Sequence, residues 1–327
     1  MDIDYELNKR AEFFNKQLEK YLKGGHPETL YNAARHLPLA GGKRLRPCFS
    51  LISCEAVKGD IIKVIPLAIA LELIHNFTLI HDDIMDKSKL RRNMPTVHIK
   101  YGEPTAINAG DLLFTKAFES IHNIAVDCSI FKNVEFGFID FIREICEGQQ
   151  LDMDFEKRQI ISEEEYLEMI RKKTAVFFQF AAEAGAIVGG GTQDEVNALN
   201  AYGLNAGLGF QIWDDYLDIS SDEHTLGKDI GNDIRNGKKT LIAVHCLNNA
   251  TGNDKKLLDR IFGNINATES EVKQVYDLFK KLKSIDYAKE TALSYITKAK
   301  KALDILPESD SKQLLFELAD YSIKREK

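Results

Sequence analysis

The stretch IIKVIPLAIALELIHNFTLIHDDIMDK, residues 61–87, decides the fold class. Within it Leu67, Ala70, Leu71, Ile74 and Phe77 recur at three- and four-residue spacing, the period of an α-helix and not of a strand. Apolar residues fall on most sides of this helix, as they do over 193–220, so both belong inside a helical assembly. Outward from there, strand-like alternation is scarce. Glycine-containing breaks at Gly24-Gly25, Leu39 to Gly42, Gly59-Asp60, Gly102, Gly189 to Gly191, Gly227 to Gly237 and Thr251-Gly252 divide the periodic segments. About a dozen helices are expected, in an all-α fold. No Pro-, Gly- or Ser-rich linker and no repeat interrupts residues 1–327, so a single domain is expected. The charged segment 222–239, with three glycines, reads as either a disordered loop or a mobile ligand-binding one.

The chain has 327 residues, 44% of them hydrophobic and 28% charged, which excludes disorder as its main state. With 43 Lys plus Arg against 50 Asp plus Glu, the net charge of -7 has the wrong sign for a general nucleic-acid binder. A polyanionic ligand must therefore be held by local basic residues or by metal. Five widely spaced cysteines without a C-x-x-C pair read as reduced packing residues of a cytoplasmic protein. The acidic start MDIDYELNKR is unlike a signal peptide, and the apolar run from Ile61 to Ile74 contains Lys63, Pro66 and Glu72, so no membrane span is expected.

The strongest chemical signal is a repeated carboxylate cluster: Asp82, Asp83 and Asp86, then Asp214, Asp215 and Asp218, both in the pattern D-D-x-x-D and both ending apolar helices. The first and fifth residues of such a motif share a helix face. Six carboxylates opening onto one cavity would repel one another unless hard cations lay between them. Oxygen-only ligation suits Mg²⁺, which keeps waters and shares its coordination with phosphates. With 25 Asp in the chain, one such motif arises by chance about 0.1 times and two about 0.01 times, so the pair is specific.

A second signal is Gly41-Gly42-Lys43-Arg44-Leu45-Arg46-Pro47, where glycines meet three cations in four positions, a phosphate grip. Arg91-Arg92, Lys173-Thr174, Lys228 and Lys238-Lys239 add basic residues that would each be unremarked surface in isolation. His75 and His81 are six residues apart and so on different helix faces, which argues against a transition-metal site.

Between about residues 38 and 240 the chain resembles the head-to-tail trans-isoprenyl diphosphate synthases, or polyprenyl synthetases. The likeness lies in G-G-K-R-L-R-P at 41–47, L-I-H-D-D-I-M-D at 79–86, R-R at 91–92, G-Q-x-L-D at 148–152, K-T-A at 173–175, G-F-Q-I-W-D-D-Y-L-D at 209–218 and G-K-D-I-G-N-D at 227–233. The resemblance implies antiparallel helices around a deep central cavity, a homodimer, three Mg²⁺ ions, and isopentenyl diphosphate and an allylic diphosphate as substrates. It also implies that Asp82, Asp86 and Asp214 are the principal metal ligands, supported by Asp83, Asp215 and Asp218. Arg91, Lys173, Thr174, Gln211, Lys228 and Lys238 match contacts to the allylic diphosphate, with Lys239 as the alternative to Lys238. Lys43, Arg46, His75 and Arg92 match the grip on isopentenyl diphosphate.

Chemically, breaking an allylic carbon–oxygen bond needs positive charge around a diphosphate leaving group and needs no side-chain nucleophile. The double bond of isopentenyl diphosphate then attacks C1 of the cation, and a proton passes to the departing diphosphate. Water must be kept out, and the 222–239 loop with Lys228 is the candidate lid. Bulk on the helix before Asp82 should limit product length. Phe77 is the candidate floor, Thr78 is small, and Ile74 lies a turn deeper; this pattern resembles archaeal-type makers of geranylgeranyl (C20) diphosphate. A farnesyl or longer product, a terpene cyclase, and an inactive regulatory subunit are the competing readings. The second D-D-x-x-D and the Lys43/Arg46 grip disfavour a cyclase, and two intact acid motifs disfavour the inactive subunit.

Overall fold

The computed structural model describes residues 2–220 and 229–324. Sixteen α-helices run through them, more than the expected dozen: α1 (Ile3–Tyr21), α2 (Glu28–His36), α3 (Leu45–Ala56), α4 (Ile61–Met85), α5 (Val97–Tyr101), α6 (Glu103–Ile121), α7 (Cys128–Glu156), α8 (Glu163–Ile170), α9 (Val176–Gly189), α10 (Gln193–Ser220), α11 (Asp229–Asn236), α12 (Leu241–Asn249), α13 (Gly252–Ile261), α14 (Glu269–Lys281), α15 (Ser284–Ala302) and α16 (Asp310–Lys324). The all-α reading is correct. The chain groups into two compact units, one of residues Met1–Ile139, Phe180–Asn200 and Ile305–Leu315, the other of Asp140–Gln179, Ala201–Asp304 and Phe316–Lys327.

In the first unit α4 packs on α3 and α6. Asp60 caps it by accepting from the Ile62 N–H at 3.0 Å, and Leu67, Leu71, Leu73 and Ile74 are fully buried. Pro66 lies within the helix, and its carbonyl accepts from Ser120 Oγ of α6 at 2.7 Å. Among the described residues α4 is the one helix long and apolar enough to cross a bilayer, despite the polar residues noted above; more than half of its most apolar window is covered by protein. A short antiparallel hairpin follows, β1 (Leu90–Arg91) and β2 (Met94–Pro95), which helical periodicity did not anticipate. Its two turn residues, Arg92 and Asn93, have φ of 52° and 59°, as a two-residue turn of the I′ kind requires.

The second unit has its core around Tyr166, Ile212, Leu241 and Phe279. Capping boxes open α8 (Ser162 with Glu165) and α14 (Thr268 with Glu271). Two local findings differ from expectation. Residues Arg171–Ala175 form a π-helical turn between α8 and α9. Within the segment read as a loop, Asp229–Asn236 is helical. Ile234 buries into the core there and Arg235 Nε donates to the Ala267 carbonyl at 2.9 Å, so charge content concealed an amphipathic turn. The rest of the candidate lid, including Lys228, lies outside the described residues. All five cysteines are free thiols, but only Cys48, Cys54 and Cys246 are buried packing residues; Cys128 and Cys146 are exposed, against expectation.

Candidate active site

In the first unit, α4 carries its acid motif to its C-terminal end, where Asp86 is the cap and no basic residue lies in the last turn. Carboxylates at the negative pole of a helix are unfavourable, so the arrangement is not there for helix stability. The three are not equivalent. Asp82 is half-buried and Asp86 exposed, whereas Asp83 is 1% exposed and points back into the protein. There its Oδ1 accepts from Arg91 Nε at 2.8 Å and pairs with Nη2 at 2.8 Å. The hairpin sets this ion pair: β1 presents Arg91 to Asp83. Arg92, at the turn, directs Nη1 to the carbonyls of Leu37 (3.2 Å) and Gly41.

The basic run opens α3. Lys43 is exposed and Arg46 half-buried, with Arg46 Nη1 3.2 Å from His75 Nε2. Burial, then Arg46, Arg92, Arg91 and Arg44, push His75 well below the usual histidine range. It is neutral at pH 7, and toward the guanidinium its Nε2 is the acceptor. One turn on, Thr78 Oγ1 donates to the His75 carbonyl at 2.8 Å. Phe77 packs against Phe114 of α6, ring centroids 5.3 Å apart, and against His81 at 4.7 Å, while Ile74 below is fully buried. Gly110 of α6 makes room for His81, whose ring would collide with any Cβ there.

In the second unit, the π turn carries Lys173 and Thr174. Gly148 of α7 lies so close to the Lys173 backbone nitrogen that a Cβ would stand 2.3 Å from it, which explains glycine at that position. One turn along α7, Asp152 forms an ion pair with Lys173. Thr174 Oγ1 donates to Gln211 Oε1 at 2.9 Å, and Gln211 Nε2 donates to Asp215 Oδ1 at 3.2 Å. The hydroxyl of buried Tyr166 donates to Asp215 Oδ2 at 2.9 Å. Asp215 is 5% exposed, and burial lifts its carboxyl to about 6 against the opposing pull of Lys238, Tyr166 and Gln211. Asp214 and Asp218 are half-buried.

Lys238 and Lys239 part company. Burial works against the Lys238 charge, but Asp215, Asp233, Asp152 and Asp218 raise it above the usual lysine value, and its Nζ lies 3.7 Å from Asp233. Lys239 instead donates to the Gly237 carbonyl at 2.8 Å and lies over the Phe262 ring; burial pushes it down to about 8. Lys238 is therefore the one in the field of the acid motif. Sequence reading gave no roles to Asp152 and Tyr166. Asp152 ends the G-Q-x-L-D motif and could have been found there; Tyr166 has no local signal.

Comparison with known proteins matches residues 27–279 to the family described as polyprenyl synthetase. The chain belongs to the polyprenyl synthetase family. It is 45% identical over 326 residues to the short chain isoprenyl diphosphate synthase of Methanothermobacter thermautotrophicus, covering 100% of this chain and 98% of that one. It is 43% identical to the geranylgeranyl diphosphate synthase of Methanosarcina mazei, covering 100% and 99%. The crystal structure of geranylgeranyl pyrophosphate synthetase from Pyrococcus horikoshii is similar at a TM-score of 0.94 with 44% identity, covering 99% of each chain.

For a polyprenyl synthetase the donor chemistry of the acid motifs is telling. Among the described residues no three His, Cys, Asp or Glu side chains group closely enough to hold a metal by themselves. Asp83 is bonded by Arg91, and Asp215 by Tyr166 and Gln211, while the first and fifth carboxylates of each motif share one helix face. One or two carboxylates completed by water and phosphate oxygens are what Mg²⁺ takes in phosphate-processing sites, so the residues fit that ion.

Proposed function

We propose that this polyprenyl synthetase condenses isopentenyl diphosphate head-to-tail with allylic diphosphates of C5 to C15, with geranylgeranyl diphosphate as its main product. The observation that carries the reading is the repeated D-D-x-x-D at the end of two apolar helices, with the second carboxylate of each held inside the protein. Asp82, Asp86 and Asp214 would hold three Mg²⁺ ions on the allylic diphosphate. Bound there, the ions would neutralise the charge that develops on the leaving group.

The chain's own residues do the rest. Lys173, oriented by Asp152, offers a cation to the allylic diphosphate, and Thr174 offers its hydroxyl proton once that turns from Gln211 Oε1, joined by Arg91, Lys228 and Lys238. Lys43, Arg46, neutral His75 and Arg92 hold isopentenyl diphosphate. Apolar lining from α4 excludes water, with Phe77 beneath the first acid motif stopping the tail. We further propose a single catalytic domain, working as a cytoplasmic homodimer.

Purified protein given Mg²⁺, isopentenyl diphosphate and each of the C5, C10 and C15 primers should yield a C20 alcohol as the main dephosphorylated product. No prenyl product would overturn the reading, and a main product of another length would overturn the C20 assignment. Phe77→Ser should lengthen the product by one or more C5 units; an unchanged distribution on chromatography would remove Phe77 from the floor.

A further inference from the structure

The run Lys43-Arg44-Leu45-Arg46 places three cations in four positions, yet the structure treats the middle one differently. Lys43 is exposed, while Arg44 is 5% exposed. All three faces of its guanidinium are occupied: Nε donates to Asn15 Oδ1 of α1 at 2.8 Å, Nη1 pairs with Glu72 Oε1 of α4, and Nη2 donates to the Pro38 carbonyl. The acceptor is itself fixed. Glu72 is 2% exposed, and Asn76 Nδ2 donates to its Oε1 at 2.9 Å and to its backbone carbonyl at 2.8 Å.

The backbone tells the same story. Arg44 has φ of 51°, in the left-handed region that residues other than glycine avoid, and such strain persists only where surrounding contacts impose it. A second clamp lies on the same turn, where Arg92 bonds the Gly41 carbonyl and its guanidinium packs against Gly42. Glu72 is three residues before His75 on α4, so the buried pair ties the turn carrying Lys43 and Arg46 to the helix turn carrying His75.

We infer that Arg44 is a positioning residue that touches no substrate and, through Glu72, Asn15 and the Pro38 carbonyl, fixes the 41–46 turn so that Lys43 and Arg46 are set for isopentenyl diphosphate. The inference rests on the reading of Lys43 and Arg46 as that grip. It also gives the N-terminal helix, which carries no motif, a part in substrate binding through Asn15.

The test is steady-state kinetics with each substrate varied, together with calorimetric titration of isopentenyl diphosphate alone. Asn15→Ala, which leaves the charge pair in place, should raise KM and Kd for isopentenyl diphosphate about threefold to tenfold. Because Arg44→Gln alone leaves Glu72 buried without its partner, the variant to compare is Arg44→Gln with Glu72→Gln, which removes both charges. It should raise those values at least tenfold, with kcat and the allylic KM within threefold of the parent. Glu72→Gln separates positioning from direct contact: a raised isopentenyl KM supports positioning, whereas an unchanged or lower one means that released Arg44 itself binds phosphate and overturns the inference. Parent-like Kd in the double variant, or an equal rise in both KM values, overturns it as well. A parent protein that does not bind isopentenyl diphosphate would refute the grip itself.

Discussion

The two acid motifs have the same pattern and the same place at the end of an apolar helix, but their middle carboxylates are met by different chemistry. Asp83 is held by a guanidinium delivered from a hairpin, in surroundings where burial first, and then Arg46, Arg92, Arg91 and Arg44, keep His75 neutral. Asp215 is held by a hydroxyl and an amide, with lysine as the nearby cation, and its carboxyl is lifted to about 6. Pattern counting treats six aspartates as equals. The fold divides them into four at the helix face and two that anchor the helix ends, and it anchors the two in separate ways.

The largest expected effect comes from the four. Asp82→Ala and Asp214→Ala should each lower turnover by about a thousandfold or more while leaving the circular dichroism spectrum unchanged. Near-normal turnover in both would end the proposed role of the motifs. Next come the anchors. Asp83→Asn leaves a partly buried guanidinium without its counter-charge and should cost about 2 kcal/mol of stability. Asp215→Asn keeps one acceptor for two neutral donors and should cost about 1 kcal/mol. Urea unfolding that ranks them the other way would break the comparison.

Smaller again is the lysine pair. Lys238→Met should lower turnover about tenfold, whereas Lys239→Met should leave it within twofold and raise the melting temperature at pH 7 by removing a buried charge. Equal losses of turnover would show that both lysines serve the acid motif. A last effect, seen only as a pH dependence, tests the buried, arginine-rich surroundings of His75. Its folded pKa lies below the unfolded value, so its contribution is fully present above about pH 6.5 and is lost as pH falls below that, at about 1.4 kcal/mol per unit until the folded pKa is reached. His75→Gln should flatten stability against pH between 6.5 and 5.5; an unaltered slope would mean that burial and the arginines do not hold the ring neutral.

Helix class and the acid motifs were legible because they repeat: the α4 face recurs at helical period over seven turns, and D-D-x-x-D occurs twice. The basic run was legible as chemistry and illegible as geometry, since nothing local distinguishes outward Lys43 from inward Arg44, whose partners Glu72 and Asn15 lie 28 and 29 residues away. The same limit hid Tyr166, whose hydroxyl finds Asp215 across 49 positions. The hairpin escaped notice because two residues per strand carry no period. Asp229–Asn236 was misread because its charges and glycine outweigh one buried isoleucine.

The widened turn at Arg171–Ala175 has a bearing on how this protein could be altered. Excising one residue there would close the widened turn into a regular helix continuous with α8 and α9, and the residues of the turn itself would present different faces. Lys173 would then lose Asp152 and Thr174 would lose Gln211, so a deletion that smooths the backbone would undo the contacts on which the proposed diphosphate site depends. Consensus redesign scored on thermal tolerance alone would favour that shortened version, and an irregularity of this sort persists only while selection reads catalysis as well as folding.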